Sequence, residues 1–202
     1  MKAGLALAVP LAVALAQLTL TNAASAQNYY RAGKVSLSIE RAFGIHHVSN
    51  HYDPDVGPDY SNASTSVGLG WHEPLSPFHS ARIAIDGFVT DRLSLGGAFG
   101  AFWHSGDNDT DGFILAPRIG YVIPISRSFS FWPRGGVSYA RVGNASLFGL
   151  TAEAMFVASP SQDWHILFGP TMDVAPFSRT DPNTDWTQIA ISFPTVGIMG
   201  TF

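Results

Sequence analysis

The sequence predicts an all-β fold, an eight-stranded antiparallel up-and-down transmembrane β-barrel, on three observations. In successive arms between Lys34 and Phe202 apolar residues recur at every second position, the period of a strand rather than of a helix. Short and longer turns alternate between these arms, as closure of an up-and-down barrel requires. An export signature precedes them: Lys2 gives a positive start, Ala3 to Leu20 is an apolar run broken by Pro10 and Gln17, and Ala24-Ser25-Ala26 has the small-x-small form of a signal-peptidase site. Residues 1–26 therefore read as a signal peptide and 27–202 as one barrel domain. No later run approaches the ~20 uninterrupted apolar residues of a spanning helix, so in a membrane strands must do the crossing.

The first strand runs from about Lys34 to His47, with Val35, Leu37, Ile39, Phe43 and Ile45 on one parity and Ser36, Ser38, Glu40, Ala42 and Gly44 on the other. Arg41 breaks the apolar parity. Val48 to Ser66, rich in Asn, Asp, Pro, Ser and Gly, reads as a long loop. Val67 to Trp71 either extends the next strand or forms a hairpin of its own, and Pro74 and Pro77 leave the path of residues 63–79 open. The second and third strands form the hairpin on which the pattern centres. Ile83, Ile85, Gly87 and Val89 alternate with Ala84, Asp86, Phe88 and Thr90, and Leu93, Leu95, Gly97, Phe99, Ala101 and Trp103 follow a short turn at Asp91.

His104 to Gly112 is a polar loop, and the fourth strand carries Phe113, Leu115, Ile119, Tyr121 and Ile123. After a turn at Pro124 to Ser128, the fifth strand has Phe129, Phe131, Val137 and Tyr139, and the sixth has Phe148, Leu150, Ala152, Ala154 and Phe156. The seventh has Trp164, Ile166, Phe168, Met172 and Val174; a polar loop from Pro176 to Asp185 leads to the last strand, Trp186 to Phe202. The turns near Asp91, Ser126 and Gln162 are short and those near Asp55, Asp107, Asn144 and Asp181 equal or longer. Pro117, Pro133 and Pro170 lie inside strand patterns, where bulges or missing ladder bonds are expected.

Charged residues make up only 13% of the chain against 12% aromatics, so apolar positions are frequent while alternation hides them from a hydropathy scan. With no cysteine, an exported chain has no disulfide staples and depends on a complete sheet or a membrane. A net charge of −4 and no basic patch give no reason to expect nucleic acid.

If the apolar parity faces lipid, the other parity fills the interior, and it carries Glu40, Arg82, Asp86, Arg92, Arg118, Arg134, Glu153, His165 and Asp173. The opposite placement would set arginines at the bilayer midplane at about 2 to 4 kcal/mol each. A turn centred near Ser126 puts Arg118 and Arg134 directly opposite each other, where like charges repel. Carboxylates must lie between them: Glu153, diagonal to Arg134, is nearest, and Asp86 and Glu40 reach from across the lumen. The expected interior is a packed polar core braced by a network of Glu40, Arg82, Asp86, Arg118, Arg134, Glu153 and Asp173, and not a wide channel. Trp103, Phe113, Tyr139, Phe148 and Trp186 near the loop end, and Phe88, Tyr121, Phe129, Trp132 and Trp164 near the turn end, read as two interfacial girdles.

The terminal strand ending in Phe202, the hairpin Phe88-Val89-Thr90-Asp91-Arg92-Leu93-Ser94-Leu95-Gly96 and the stretch Trp132-Pro133-Arg134-Gly135-Gly136 resemble the small bacterial outer-membrane β-barrel superfamily, which includes the OmpA, OmpX and OmpW barrels. The resemblance covers essentially the whole mature chain. It implies an outer-membrane location with short periplasmic turns and longer extracellular loops. It also implies contact with lipopolysaccharide, a monomer, and a role for Phe202 as the residue read by the barrel-assembly machinery.

Three constellations could carry chemistry. Asp107-Asn108-Asp109-Thr110-Asp111-Gly112 matches the first half of a calcium loop, but the position of the bidentate Glu holds Arg118, which excludes an EF-hand. Asp107, Asp109 and Asp111 remain as a looser divalent-cation loop. His46, His47, His51, His72 and His79, with Asp53, Asp55 and Asp59, offer metal ligands without a uniting spacing. His47-Val48-Ser49 is similar to the His-x-Ser pair of outer-membrane lipid A deacylases, but at the loop end of the first strand and with no carboxylate assigned. The expectation is a barrel with a structural or surface-interaction role, without catalytic residues, metal or cofactor. The alternatives are a narrow small-solute channel or ligand-binding barrel, and a lipid A-modifying enzyme.

Overall fold

The computed structural model describes residues 29–54, 58–70, 76–104, 110–181 and 184–202. Their strands are β1 (Val35–Pro54), β2 (Tyr60–Leu69), β3 (Arg82–Phe88), β4 (Leu93–His104), β5 (Thr110–Tyr121), β6 (Ile123–Pro124), β7 (Phe129–Val142), β8 (Ala145–Ala158), β9 (Trp164–Asp181) and β10 (Thr184–Thr201). All neighbours are antiparallel, and β10 pairs back onto β1 from Ser36↔Thr201 to Pro54↔Thr184, which closes an eight-stave barrel.

Ten strands make eight staves because β6 continues β5 against β7, and because the second stave is split. β3 pairs the lower half of β1, from Val35↔Gly87 to Glu40↔Arg82, and β2 pairs its upper half, from Phe43↔Leu69 to Tyr52↔Tyr60. Between the two halves the chain turns inward. Ser76 caps a 3-10 turn, Pro77–His79, by accepting from the Phe78 backbone N–H, and Pro77 supplies the fixed φ such a turn start favours. Pro77, Phe78 and His79 are all buried.

Two expected loops prove largely to be strand, as do the ends of a third. β1 continues to Pro54 and β2 starts at Tyr60 within the stretch assigned to a loop; β4 and β5 extend to His104 and Thr110, and β9 and β10 to Asp181 and Thr184. On the extension of β1 the ladder is held by polar pairs: the Asn50 amide donates to Asn62 Oδ1 at 3.0 Å, and His47 and His51 bond to Thr65 and Ser61 at 2.9 Å. Polar residues on both faces erase the alternation that marks a half-buried strand, although the backbone pairing persists. The turn at Asn144 is tight, Val142 pairing with Ala145 and Gly143 at φ 55°. Of the three prolines, Pro117 interrupts the ladder with β7, an irregularity lies beside Pro170 between β9 and β10, and Pro133 is accommodated in register opposite Ala154.

The outward face presents Leu37, Ile39, Ile85, Leu95, Leu115, Ile119, Leu150, Ile191 and Ile198 among many exposed apolar residues. No helix among the described residues is long and apolar enough to cross a membrane. The inward face has three layers. A floor at the turn end is built from Phe88, Val122, Trp132, Met155, Val157, Leu167 and Met199, with Tyr29 folded up into it from the N-terminal side. An upper layer packs Phe78 against Val48, Ile114, Ala140, Leu147, Ala175 and Ala190. The charged residues lie between. The packed polar core is thus confined to a belt, with apolar side chains above and below it. Phe88 and Trp132 belong to the floor and not to a girdle, as their parity with Asp86 and Arg134 requires, and Trp186 packs against the upper layer and not in the loop-end girdle.

Candidate functional site: a buried belt of charge

Eight charged side chains are buried among the described residues: Glu40, Arg41, Arg82, Asp86, Arg118, Arg134, Glu153 and Asp173. Four arginines meet four carboxylates, so the formal charge of the belt is zero. Arg118 donates to Glu40 at 2.6 and 2.9 Å, to Asp86 through Nε at 3.1 Å, and to Glu153 at 3.3 Å. Arg134 reaches Glu40 at 2.7 Å and Glu153 at 2.8 Å. Arg41 bonds to Asp173 at 2.7 Å and to Glu153 at 3.1 Å, and Arg82 lies 3.9 Å from Asp173. Thr151 donates to Asp173 and Ser38 to Glu40, which occupies further carboxylate lone pairs. The connected group draws on β1, β3, β5, β7, β8 and β9 and so braces opposite walls across the lumen.

Register explains how these side chains meet, and it differs from the expected one. Arg118 pairs with Gly136, and Arg134 with Gly120, so the two arginines are diagonal neighbours and not direct partners. Glu153 stands directly opposite Arg134 instead of diagonal to it. The turn is centred on Arg127, one residue beyond Ser126, and the resulting slip of two residues in pairing keeps every side chain on its face. Glycines opposite the arginines make the room: a Cβ on Gly136 would stand 2.1 Å from the Pro117 carbonyl, and one on Gly96 2.5 Å from Asp86 Oδ1.

Arg41 is absent from the expected network, and its inward direction has a backbone cause. β1 carries two extra residues against β10 between Ile39 and Phe43, and Arg41 within that bulge has φ 55°, a left-handed conformation in which the side chain leaves the alternation. The parity break in the sequence was the signal. Arg41 and Arg82 both donate to the Phe78 carbonyl, Arg82 at 2.8 Å, which ties the inserted turn to the belt. From below, the Arg134 guanidinium lies 4.7 Å over the Trp132 ring, a cation–π contact with the floor.

Other expected residues are placed elsewhere. Arg92 is exposed in the β3–β4 turn at φ 76°, and His165 is buried in the floor, bonded to Ser159 at 2.8 Å and Thr201 at 3.1 Å. The candidate metal ligands do not converge: His46 points inward and stacks on His79 at 4.6 Å, whereas His47 and His51 point outward, and His72 and Asp55 lie outside the described residues. Asp107 and Asp109 also lie outside them, and Asp111 is exposed on β5. His47 bonds to Thr65, and among the described residues no carboxylate joins it and Ser49. Phe202 is exposed, its backbone N–H donating to the Val35 carbonyl at 2.9 Å.

Neither a protein-family model nor a curated protein matches the sequence. Solved structures similar to the chain include the N-terminal barrel domain of OprF from Pseudomonas aeruginosa, at 10% identity over 85% of this chain and 98% of that one with a TM-score of 0.48. OprG from the same organism is similar at 13% identity over 86% and 97%, TM-score 0.44. Ail, the attachment invasion locus protein of Yersinia pestis, is similar at 12% identity over 85% and 99%, TM-score 0.41. In its closed ring of eight antiparallel staves, with an apolar exterior and buried charge, the chain is similar in architecture to the small bacterial outer-membrane β-barrels.

Proposed function

We propose that the chain is exported by a cleaved signal peptide, residues 1–26, and inserts in a bacterial outer membrane as a plugged, non-conducting monomer with a structural or surface-interaction role. The observation that carries this reading is the charge-balanced belt, in which every arginine is ion-paired and apolar layers close the lumen on both sides. Removing any one member would strand a buried charge, so the belt is costly to open. The short turns face the periplasm and the projecting β1, β2, β9 and β10 face outward, among lipopolysaccharide. Phe202 supplies the aromatic end read by the assembly machinery. The role is not enzymatic. Planar-bilayer recordings of the refolded protein test it: the reading expects silence, and stable unitary conductance abolished by changing Arg118 would favour the narrow-channel alternative.

A further inference from the structure

On β1 the ladder to β10 runs unbroken from His46 to Pro54 and the ladder to β2 from Phe43 to Tyr52. Tyr52 therefore stands on the same face as the buried, inward Val48. Direct cross-strand pairing sets Tyr60, Tyr52 and Trp186 in one row, with ring centroids 4.6 and 5.6 Å apart and planes within 10° and 11°. The next row on that face is Asn62, Asn50 and Gln188. Gln188 donates to Asn50 at 2.7 Å, Asn50 donates to Asn62 at 3.0 Å, and Ser76 beside the inserted turn donates to Gln188 at 2.5 Å. Aromatic anchors of a membrane interface point toward lipid. This row points to the barrel axis, and Tyr52 lies seven residues beyond the outward Ile45, about 23 Å of strand.

Both rows end at β2, which pairs with no further strand among the described residues. Tyr60 is 54% exposed and Asn62 is exposed, so an open ring face stands beside an amide. A ring face is the negative side of the aromatic quadrupole and attracts weakly positive C–H groups, while an amide both donates and accepts, as a pair of vicinal hydroxyls demands. A pyranose offers both on one small body. From Tyr60 to Leu69 β2 has no charged residue, and the charges flanking the row, Asp53 and Asp59, are exposed carboxylates that repel an anionic sugar and leave a neutral one.

We propose that Tyr60 and Asn62 bind a neutral pyranose ring of a glycan arriving from the medium. This deepens and rests on the surface-interaction reading above. The source follows from the face: lipopolysaccharide packed around the outer wall meets the opposite side of these strands.

The test is saturation-transfer NMR on the folded barrel in a detergent without sugar headgroups, titrated with methyl β-glucoside, methyl β-galactoside and methyl α-mannoside. Saturation of the ring protons of at least one glycoside is expected, with affinity falling by about tenfold or more in Tyr60→Ala and Asn62→Ala and retained in Tyr60→Phe. Each variant is first shown to keep the heat-dependent gel shift of a folded barrel. No saturation with any of these glycosides, equal affinity in Tyr60→Ala, or binding to purified lipopolysaccharide alone would overturn the site. Those results leave the plugged-barrel reading standing, since that one fails on conductance.

Discussion

Glu153 accepts from Arg41, Arg118 and Arg134, so its carboxylate is the point where the two halves of the belt join. Glu153→Gln keeps the shape and removes the charge, leaving three guanidinium groups to share the remaining carboxylates. A loss of about 3 to 5 kcal/mol is expected, read as a lower urea midpoint in detergent micelles. Arg118→Ala combined with Glu153→Ala should couple strongly in a double-mutant cycle, and additive effects would show that the 3.3 Å contact between them contributes little. Most of this belt was legible, because a charge on the inward parity of a strand has few places to go. Arg41 was legible only as an anomaly: a bulge depends on the chain opposite, here β10, and no local pattern announces it. Phe88 and Trp132 are a different case, since parity alone placed them inside and only their aromatic character suggested the interface.

Two short segments close the lumen without belonging to the wall. Phe78 is carried in by the turn between the halves of the split stave, and Phe78→Ala should cost about 3 to 5 kcal/mol through the cavity it leaves in the upper layer. Tyr29 closes the other end, its hydroxyl bonded to Ser130 and its ring 4.7 Å from His165. Burial pushes the Tyr29 hydroxyl above its ordinary value of 10.0, so the neutral form is the one the floor accommodates. The associated stability is complete below the unfolded value and is lost as pH climbs above about 10 toward the folded one. Unfolding midpoints should therefore fall in that alkaline window for the wild type, and less in Tyr29→Phe. Neither segment could be read from periodicity. A stretch that plugs a barrel forms no ladder, and its burial is decided by the walls around it.

For the barrel as one body, the outward apolar surface is either a lipid contact or an aggregation hazard. Two measurements separate these. A mobility shift between boiled and unboiled samples of an outer-membrane fraction is expected of the inserted barrel. Ile119→Arg, on the outward face of β5, should impair insertion or cost about 2 to 4 kcal/mol, with the penalty greatest if the site lies at the bilayer midplane. Recovery of the protein in the soluble fraction with no shift would contradict the membrane reading.

The sequence by itself determined the class of fold, the number of staves and the parity that faces inward, though not the inward turn of Arg41 or the exposure of Arg92. All three follow from the two-residue period, and a register slip of two residues leaves that period intact. Only the tertiary structure decided which inward residues touch. Contact depends on ladder register, on the β1 bulge that turns Arg41 inward and on the split stave that carries Phe78 into the lumen. It also revealed the extended sheet at the loop end, because pairing there is held by backbone and polar side chains that leave no hydrophobic rhythm to read.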